Sequence, residues 1–330
     1  MWNQKSNSSL SDFLNRIGAD AATITIANTQ GPVYHIDTDQ RIPGNLLYSD
    51  GNSLKSGDTI IVGSAITAGY EEGIGDAARF CRITSFVQLN VSAVLAVDSC
   101  NHCIRLVDRT TNETSRFAGR CTKYGSTSGT DLATFTDPYT LINNVKAPNH
   151  LLVTDTNNNA LRSIDKVTKL VLTIVQDVDQ LTKPTGMVQE HTSGDLYITT
   201  EYSVVRCNLN TKIITHIAGQ DIAGWRDGPF SEAKFNKMYD IVFLSHDELV
   251  IAGGVNNRLR ILNLSTNKTR LSICSGEAGH DDSTVTTCKL FTPQGLLVLN
   301  STLYIGQAQR IRAIQGKRTY YSNTMGNRAC

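Results

Sequence analysis

The chain has 330 residues, 31 Lys+Arg against 30 Asp+Glu for a formal charge of +1, and is 40% hydrophobic but only 18% charged. That balance excludes a bulk electrostatic case for nucleic acid, which would need a basic excess or stripe. The apolar content excludes a disordered chain, and no apolar run approaches the length of a membrane-spanning helix.

Few charges beside abundant Ser, Thr and Asn point to strands and turns. The start, MWNQKSNSSLSDFL, lacks the charged-then-apolar pattern of a secretory signal. SLSDFLNRIG is the one helix expected, within an N-terminal extension at 1–20. A degenerate first unit follows at 21–66, from TITIAN through PVYHID and NLLYSD to TIIVG.

From residue 67 to 323 the chain repeats itself. AGYEEGIGDAARF, ending at Phe80, matches AGWRDGPFSEAKF, ending at Phe235, at a shift of 155. The same shift carries CNHCIR (Cys100 to Arg105) onto VNNRLR (Val255 to Arg260), so whole copies are repeated. DSCNHCIR matches DTNNNALR at a shift of 57, YGSTSGTDLATF ends at Phe135, and AGHDDSTVTTCKL is a looser copy at a shift of 210. Each unit reads as four short strands: an apolar run such as ITSFVQL, an alternating strand such as VLAVD, an Ile/Leu-Arg strand such as CIRLVD, and a fourth such as TSRFAG. Third strands centre on Arg105, Arg162, Arg206, Arg260 and Arg312, giving five clear units, and 324–330 is a tail. The expectation is one all-β domain, a six-bladed β-propeller of four-stranded antiparallel blades.

The pattern A-G-x-x-D-G…A-x-F, then L-x-V-x-D-x-x-N-x-x-I-R, resembles that of NHL-repeat β-propellers, carried here by VDSCNHCIRLVD, VTDTNNNALRSID, IAGGVNNRLRILNL and DGPFSEAKF. The resemblance implies the propeller fold and leaves function open, because propellers host unrelated activities. Related peptidyl-amidating lyases hold zinc through His residues before the third strand of several blades. This chain has His102, Asn159, Ser203, Asn257 and Gln309 there, and one His cannot make a three-ligand zinc site. No metal or cofactor is expected.

Eight cysteines form an even set, and six N-x-S/T sequons occur at Asn7, Asn90, Asn112, Asn263, Asn267 and Asn300. Together they read as a mature secreted, extracellular glycoprotein, expected as a monomer. Cys274 ends a fourth strand and Cys288 precedes the next inner one; Cys103 begins a third strand and Cys121 follows the fourth paired with it. Both pairs are expected as disulfides, whereas Cys81, Cys100, Cys207 and Cys330 are left unpaired by this reasoning.

The repeated arginines read as a structural feature, with Asp98 and Asp155 as partners. The loops after each Ala-Gly carry Tyr70, Tyr124, Trp225 and His280 at nearly one position, beside Glu72, Asp227 and Asp282. Such loops are expected to lean over the channel mouth, where an aromatic rim beside carboxylates would bind a small molecule, a glycan or an extracellular protein. The competing expectation is that the aromatics pack between blades and the acids cap turns. His102 is the best single proton carrier if the protein is an enzyme. That alternative places a substrate in the funnel, for hydrolysis, lyase action or a cofactor-independent oxidation of the luciferase type. No nucleophile-elbow, zincin, Walker or dinucleotide motif supplies a catalytic set. RNA binding is disfavoured by the balanced charge.

Overall fold

In the computed structural model, which describes residues 23–315, the alternating segments fold as antiparallel sheets arranged as six propeller blades, with no helix longer than single 3-10 turns such as Ser99–Asn101 and Thr156–Asn158 among the described residues. Blade 1 runs from the axis outward as Ile36–Thr38, Leu46–Asp50, Ser53–Ser56 and Thr59–Gly63, and blade 2 as Ile83–Asn90, Ala93–Asp98, Cys103–Asp108 and Glu113–Ala118. Blades 3, 4 and 5 repeat this order with inner strands Pro138–Asn143, Met187–Gln189 and Ile241–Ser245. Inner strands run away from the end that carries the blade-to-blade loops and the turns between second and third strands. That end is called upper here, and the opposite one lower. The helix expected in SLSDFLNRIG, Asn7 and Cys330 lie outside the described residues.

The first strand departs from the sequence expectation. Thr23–Pro32 does not open blade 1; it pairs antiparallel with the second half of Thr302–Gln315, from Thr23 opposite Ile314 to Pro32 opposite Ala308. The first half of that long run pairs with Gly295–Leu299, the inner strand of blade 6, so an N-terminal strand completes the last blade and closes the ring. The physical reason is edge satisfaction: a terminal blade without an outer partner would leave a row of backbone donors and acceptors unpaired.

Apolar residues gather in clusters between neighbouring blades instead of in one centre. Leu47, Leu54, Phe80, Phe86 and Val94 fill the gap between blades 1 and 2; Leu95, Ile104, Phe135, Leu141 and Leu151 fill the next. The phenylalanine ending each Ala-x-Phe motif is thus a wedge. Gly119, at φ +84° and with Phe135 only 2.8 Å from where a Cβ would sit, is glycine for both reasons.

Among the described residues, four third-strand arginines are buried to 1% exposure or less: Arg105, Arg162, Arg260 and Arg312. Each donates to carbonyls of the preceding blade-to-blade loop. Arg162 reaches Thr134 O at 3.2 Å and Thr127 O at 3.0 Å while its Nη1 meets Asp155 at 2.8 Å. Arg260 repeats this on Lys234 O and Arg226 O, and Arg105 on Arg79 O and Glu71 O. In blade 1, Lys55 stands at the same register and pairs with Asp50 at 3.0 Å. Blade 4 differs: Val205 occupies the buried position opposite Ile198, and Arg206 is exposed, beside Asp195 at 3.7 Å. A one-residue slip along a strand moves a side chain to the other face. The loop before blade 4, at 177–186, is also the short one that lacks the A-G…A-x-F motif, so no buried carbonyls there await a guanidinium.

Three disulfides, Cys103–Cys121, Cys274–Cys288 and Cys81–Cys100, have Cα separations of 5.0, 4.6 and 5.4 Å and all lie at the upper end. Cys207 is a buried free thiol whose pKa burial pushes up to about 12, which leaves it unreactive.

Removing one partner of a buried, hydrogen-bonded ion pair costs about 3–5 kcal/mol, whereas an exposed pair contributes about 0–1 kcal/mol. Arg162→Met is therefore expected to lower unfolding free energy by about 3–5 kcal/mol in urea titrations, and Arg206→Met by less than about 1 kcal/mol. Equal losses would contradict the register assignment. Breaking Cys274–Cys288 by a double Ser substitution is expected to cost about 3 kcal/mol in the same assay.

Candidate functional site

Every blade begins its inner strand from a left-handed residue or from proline: Pro32, Arg82 (φ 67°), Asp137 (50°), Lys183 (46°), Lys237 (46°) and Thr292 (49°). The amide N–H of each non-proline member is held by the preceding blade. Asn52 Oδ1 accepts from Arg82, Asn159 Oδ1 from Lys183 and Asn257 Oδ1 from Thr292, at 2.8, 2.8 and 3.0 Å. At the same position His102 accepts the Asp137 N–H on Nδ1 at 3.1 Å. Its imidazole thus does the work its asparagine counterparts do in other blades. In blade 4 the backbone carbonyl of Glu201 takes over, at 2.9 Å from Lys237 N.

Two residues further along each inner strand the side chains meet around the axis. Tyr34, Tyr139 and Tyr239 occupy this place in blades 1, 3 and 5; Thr84, Thr185 and Gln294 occupy it in blades 2, 4 and 6. The tyrosine rings touch although their blades are not neighbours, which is possible only across the channel. Tyr34 and Tyr139 lie edge to face at 6.5 Å, and Tyr139 and Tyr239 stack at 6.0 Å. Aromatic rings in alternate blades, with non-aromatic Thr or Gln side chains between them, let three rings share one narrow bore. The threonines are tied down: Thr84 Oγ1 donates to Tyr139 O at 2.7 Å, and Thr185 Oγ1 to Met238 O at 2.7 Å.

Burial raises the pKa of all three phenols, partly offset for each by the positive charge of Arg82, so they stay neutral O–H donors. Arg82 donates through Nη2 to Ser99 Oγ at 3.1 Å and lies 3.7 Å from Asp137. Its neighbour Cys81 is bonded to Cys100, which fixes the backbone at this point. Asp240, beside Tyr239, accepts the N–H groups of Ile241 and Leu296 at 2.8 Å each; burial outweighs these bonds and pushes its carboxyl up to about 7. His35 is held neutral mainly by burial, against the edge of Phe86 at 4.6 Å. Three buried polar atoms of this ring have no partner among the described residues: Tyr139 Oη, Gln294 Oε1 and Arg82 Nε. Tyr139 and Gln294 are 9% and 8% exposed, so these are groups turned inward and away from bulk water.

The rim expected from sequence lies elsewhere on the upper end. Trp225, half exposed, is covered by the Arg258 guanidinium at 4.0 Å; Tyr124, exposed, sits edge-on to His102 at 6.2 Å. Both therefore stand over turns between second and third strands. Tyr70 bonds Glu72 at 3.3 Å and lies 5.2 Å from Arg105, while His280 meets Gln307 at 3.1 Å and the edge of Phe291. The acids engage the scaffold: Asp227 with Arg260 at 2.6 Å, Asp282 with Arg312 at 2.7 Å and with Thr25, and Glu72 with the Arg116 N–H at 2.9 Å. The loops themselves do not overhang the channel but hook down the outer edge of the following blade. Gly73 O accepts from Thr114 N, Gly129 pairs with Val171, and Gly228–Pro229 adds a short fifth strand against Lys268–Ile273.

Sequence reasoning did not single out the tyrosine ring. Its signal was present in PVYHID, DPYTLIN and MYDIVFL, where Tyr stands two residues before the core position in every second blade. Among the described residues no group of three or more His, Cys, Asp or Glu side chains is placed to hold a metal ion. An open groove of about 280 Å³ exists at the lower end between blades 3 and 4, but its walls are mainly apolar, with Leu152, Leu172, Ile174 and Leu209.

No family model matches the chain, and no curated relative matches it. Solved structures do. An auxiliary nutrient binding protein from Bacteroides thetaiotaomicron superposes with a TM-score of 0.67 at 12% identity, over 89% of this chain and 76% of that one. Streptogramin B lyase gives 0.54 at 11% identity over 89% and 98%. An extracellular domain of a two-component system protein from B. thetaiotaomicron gives 0.55 at 16% identity, over 89% of this chain and 42% of that one. At such identities the likeness shows the six-bladed propeller fold alone.

The folded state binds the Asp240 proton more tightly than an unfolded chain with the ordinary value of 3.8, so this group's contribution to stability is full below that value and is lost as pH rises through about 7. Asp240→Asn is expected to flatten the fall in unfolding free energy between about pH 4 and about pH 7, measured by urea titration at each pH. An unchanged slope would mean that Asp240 ionises normally.

Proposed function

We propose that the protein is a secreted, NHL-type propeller that binds a small hydroxylated anion, such as a sugar acid, at the upper mouth of its channel. The observation that carries this is the set of unpartnered buried polar atoms on Tyr139, Gln294 and Arg82 at the channel mouth, the first two residues turned inward and the Arg82 side chain partly exposed. Buried polar atoms are nearly always hydrogen-bonded, so a ring of them marks a place for a polar guest. Neutral phenols and a carboxamide oxygen suit hydroxyl groups, and a guanidinium suits a carboxylate. Three disulfides and the nutrient-binding and extracellular-domain neighbours support the extracellular half of the reading. No helix among the described residues is long and apolar enough to cross a membrane.

The second reading, an enzyme with its substrate in the funnel, has one observation in its favour: a buried carboxyl, Asp240, poised at about 7 beside the tyrosines, with a lyase among the neighbours of the same fold.

Titration calorimetry with gluconate, galacturonate and glucose separates these. Binding of the acids over the neutral sugar is expected, and Arg82→Gln should weaken it at least about tenfold, the worth of a charge-assisted hydrogen bond. Tyr139→Phe should weaken it by a smaller factor without loss of folding. Equal affinity for glucose, or full affinity in Arg82→Gln, would overturn the anion site, and turnover of a bound probe would favour the enzyme.

A further inference from the structure

Among the described residues, the five sequons and the disulfides occupy opposite ends of the molecule. Asn90 ends the first strand of blade 2 and Asn300 stands in the turn after the first strand of blade 6; Asn263 ends the third strand of blade 5, and Asn112 and Asn267 stand in turns between third and fourth strands. Both classes of turn are at the lower end. The Asn-rich turns of the upper end, DSCNHC, DTNNNA and GVNNRL, contain no sequon, because there the asparagines are spaced to hold the next blade.

The five are not equivalent. N-glycosylation needs the side-chain amide nitrogen, and a bulky hydrophilic glycan needs solvent around it. Asn90, Asn267 and Asn300 are exposed, and their Nδ2 atoms make no hydrogen bond among the described residues. Asn90 uses only Oδ1, which accepts the Ser92 N–H at 2.8 Å. Asn267 and Asn300 sit at turn tips in left-handed backbone, at φ 53° and 48°. By contrast, Asn263 is half-buried, its Nδ2 donates to Glu248 at 3.2 Å and its Oδ1 caps Thr266, so a glycan there would break the turn. Asn112, also in left-handed backbone at φ 57°, is half-buried; its carbonyl accepts the Gly75 N–H at 2.9 Å just as that of Asn267 accepts the Phe230 N–H at 2.9 Å, so exposure is what separates these two.

We infer that Asn90, Asn267 and Asn300 are glycosylated and that Asn112 and Asn263 are not, so that glycans clothe the lower ends of blades 2, 5 and 6 while the channel mouth stays bare. The donor is a polyprenyl-diphosphate-linked oligosaccharide. The amide nitrogen forms a bond to the anomeric carbon, the bond from that carbon to the diphosphate oxygen breaks, and the diphosphate departs with the electron pair. The amide proton passes to a base of the transferring enzyme. This inference rests on the secretory half of the proposed function and is independent of the ligand.

The test is made on protein purified from the organism that produces it. One portion is treated with peptide-N-glycosidase in heavy-oxygen water, digested and read by mass spectrometry for labelled aspartate. A second portion is alkylated before and after reduction to read the cysteines. Label at residues 90, 267 and 300, with Cys81, Cys100, Cys103, Cys121, Cys274 and Cys288 resistant to alkylation until reduced, is the result expected. Intact disulfides with no label would overturn glycosylation while leaving the secretory reading standing. Free thiols with no label would overturn both, and label at Asn112 or Asn263 in place of the three would overturn the selection by exposure.

Discussion

The buried guanidinium is the interaction on which the rest of this propeller depends. A loop that leaves the outside of one blade and returns to the axis carries backbone carbonyls into a region closed to water, and such groups must be paired. Arg105, Arg162, Arg260 and Arg312 pair them, each with two loop carbonyls, and each has a carboxylate to balance its charge. Arginine suits the task because its planar fork offers several donors in fixed directions. Blade 4 supplies the internal control: where the loop is short, the buried arginine is replaced by Val205.

With loops clamped from inside and stapled at their ends, the inner strands present their first residues in a fixed ring. The amide staples from Asn52, His102, Asn159 and Asn257 set the left-handed turn that aims each strand at the axis. The channel mouth is therefore built on rigid backbone, with tyrosines from alternate blades meeting at its centre. That rigidity suits a site whose donors must already point inward before a ligand arrives.

The blade architecture was legible because it is written many times. Period-2 strands between Asn, Asp and Gly turns, and two motifs sharing one offset, leave few alternatives to a propeller. The two disulfides inferred from strand ends follow from the same regularity, since Cys103 and Cys121 sit where paired strands must start and stop. What was hidden breaks the repeat. Thr23–Pro32 reads as an ordinary amphipathic strand, and nothing local says that its partner lies nearly three hundred residues away. Arg206 follows the repeated Ile/Leu-Arg pattern closely enough to conceal a one-residue shift. The tyrosine ring is invisible in any single blade, because it is a property of every second blade. Trp225 stands out in the sequence by its size, whereas which side chains meet at the axis depends on position across blades.

The closing strand also sets an order of events during synthesis. Blades 1 to 5 each contain their four strands within a continuous stretch and can form as the chain emerges. Thr23–Pro32 must wait until residues 308–314 exist, holding an unpaired strand edge exposed meanwhile. An arc of finished blades with a sticky first strand is prone to pair with another chain's last blade. Ring closure within one molecule thus competes with exchange between molecules, and the outcome depends on concentration until the final blade is made.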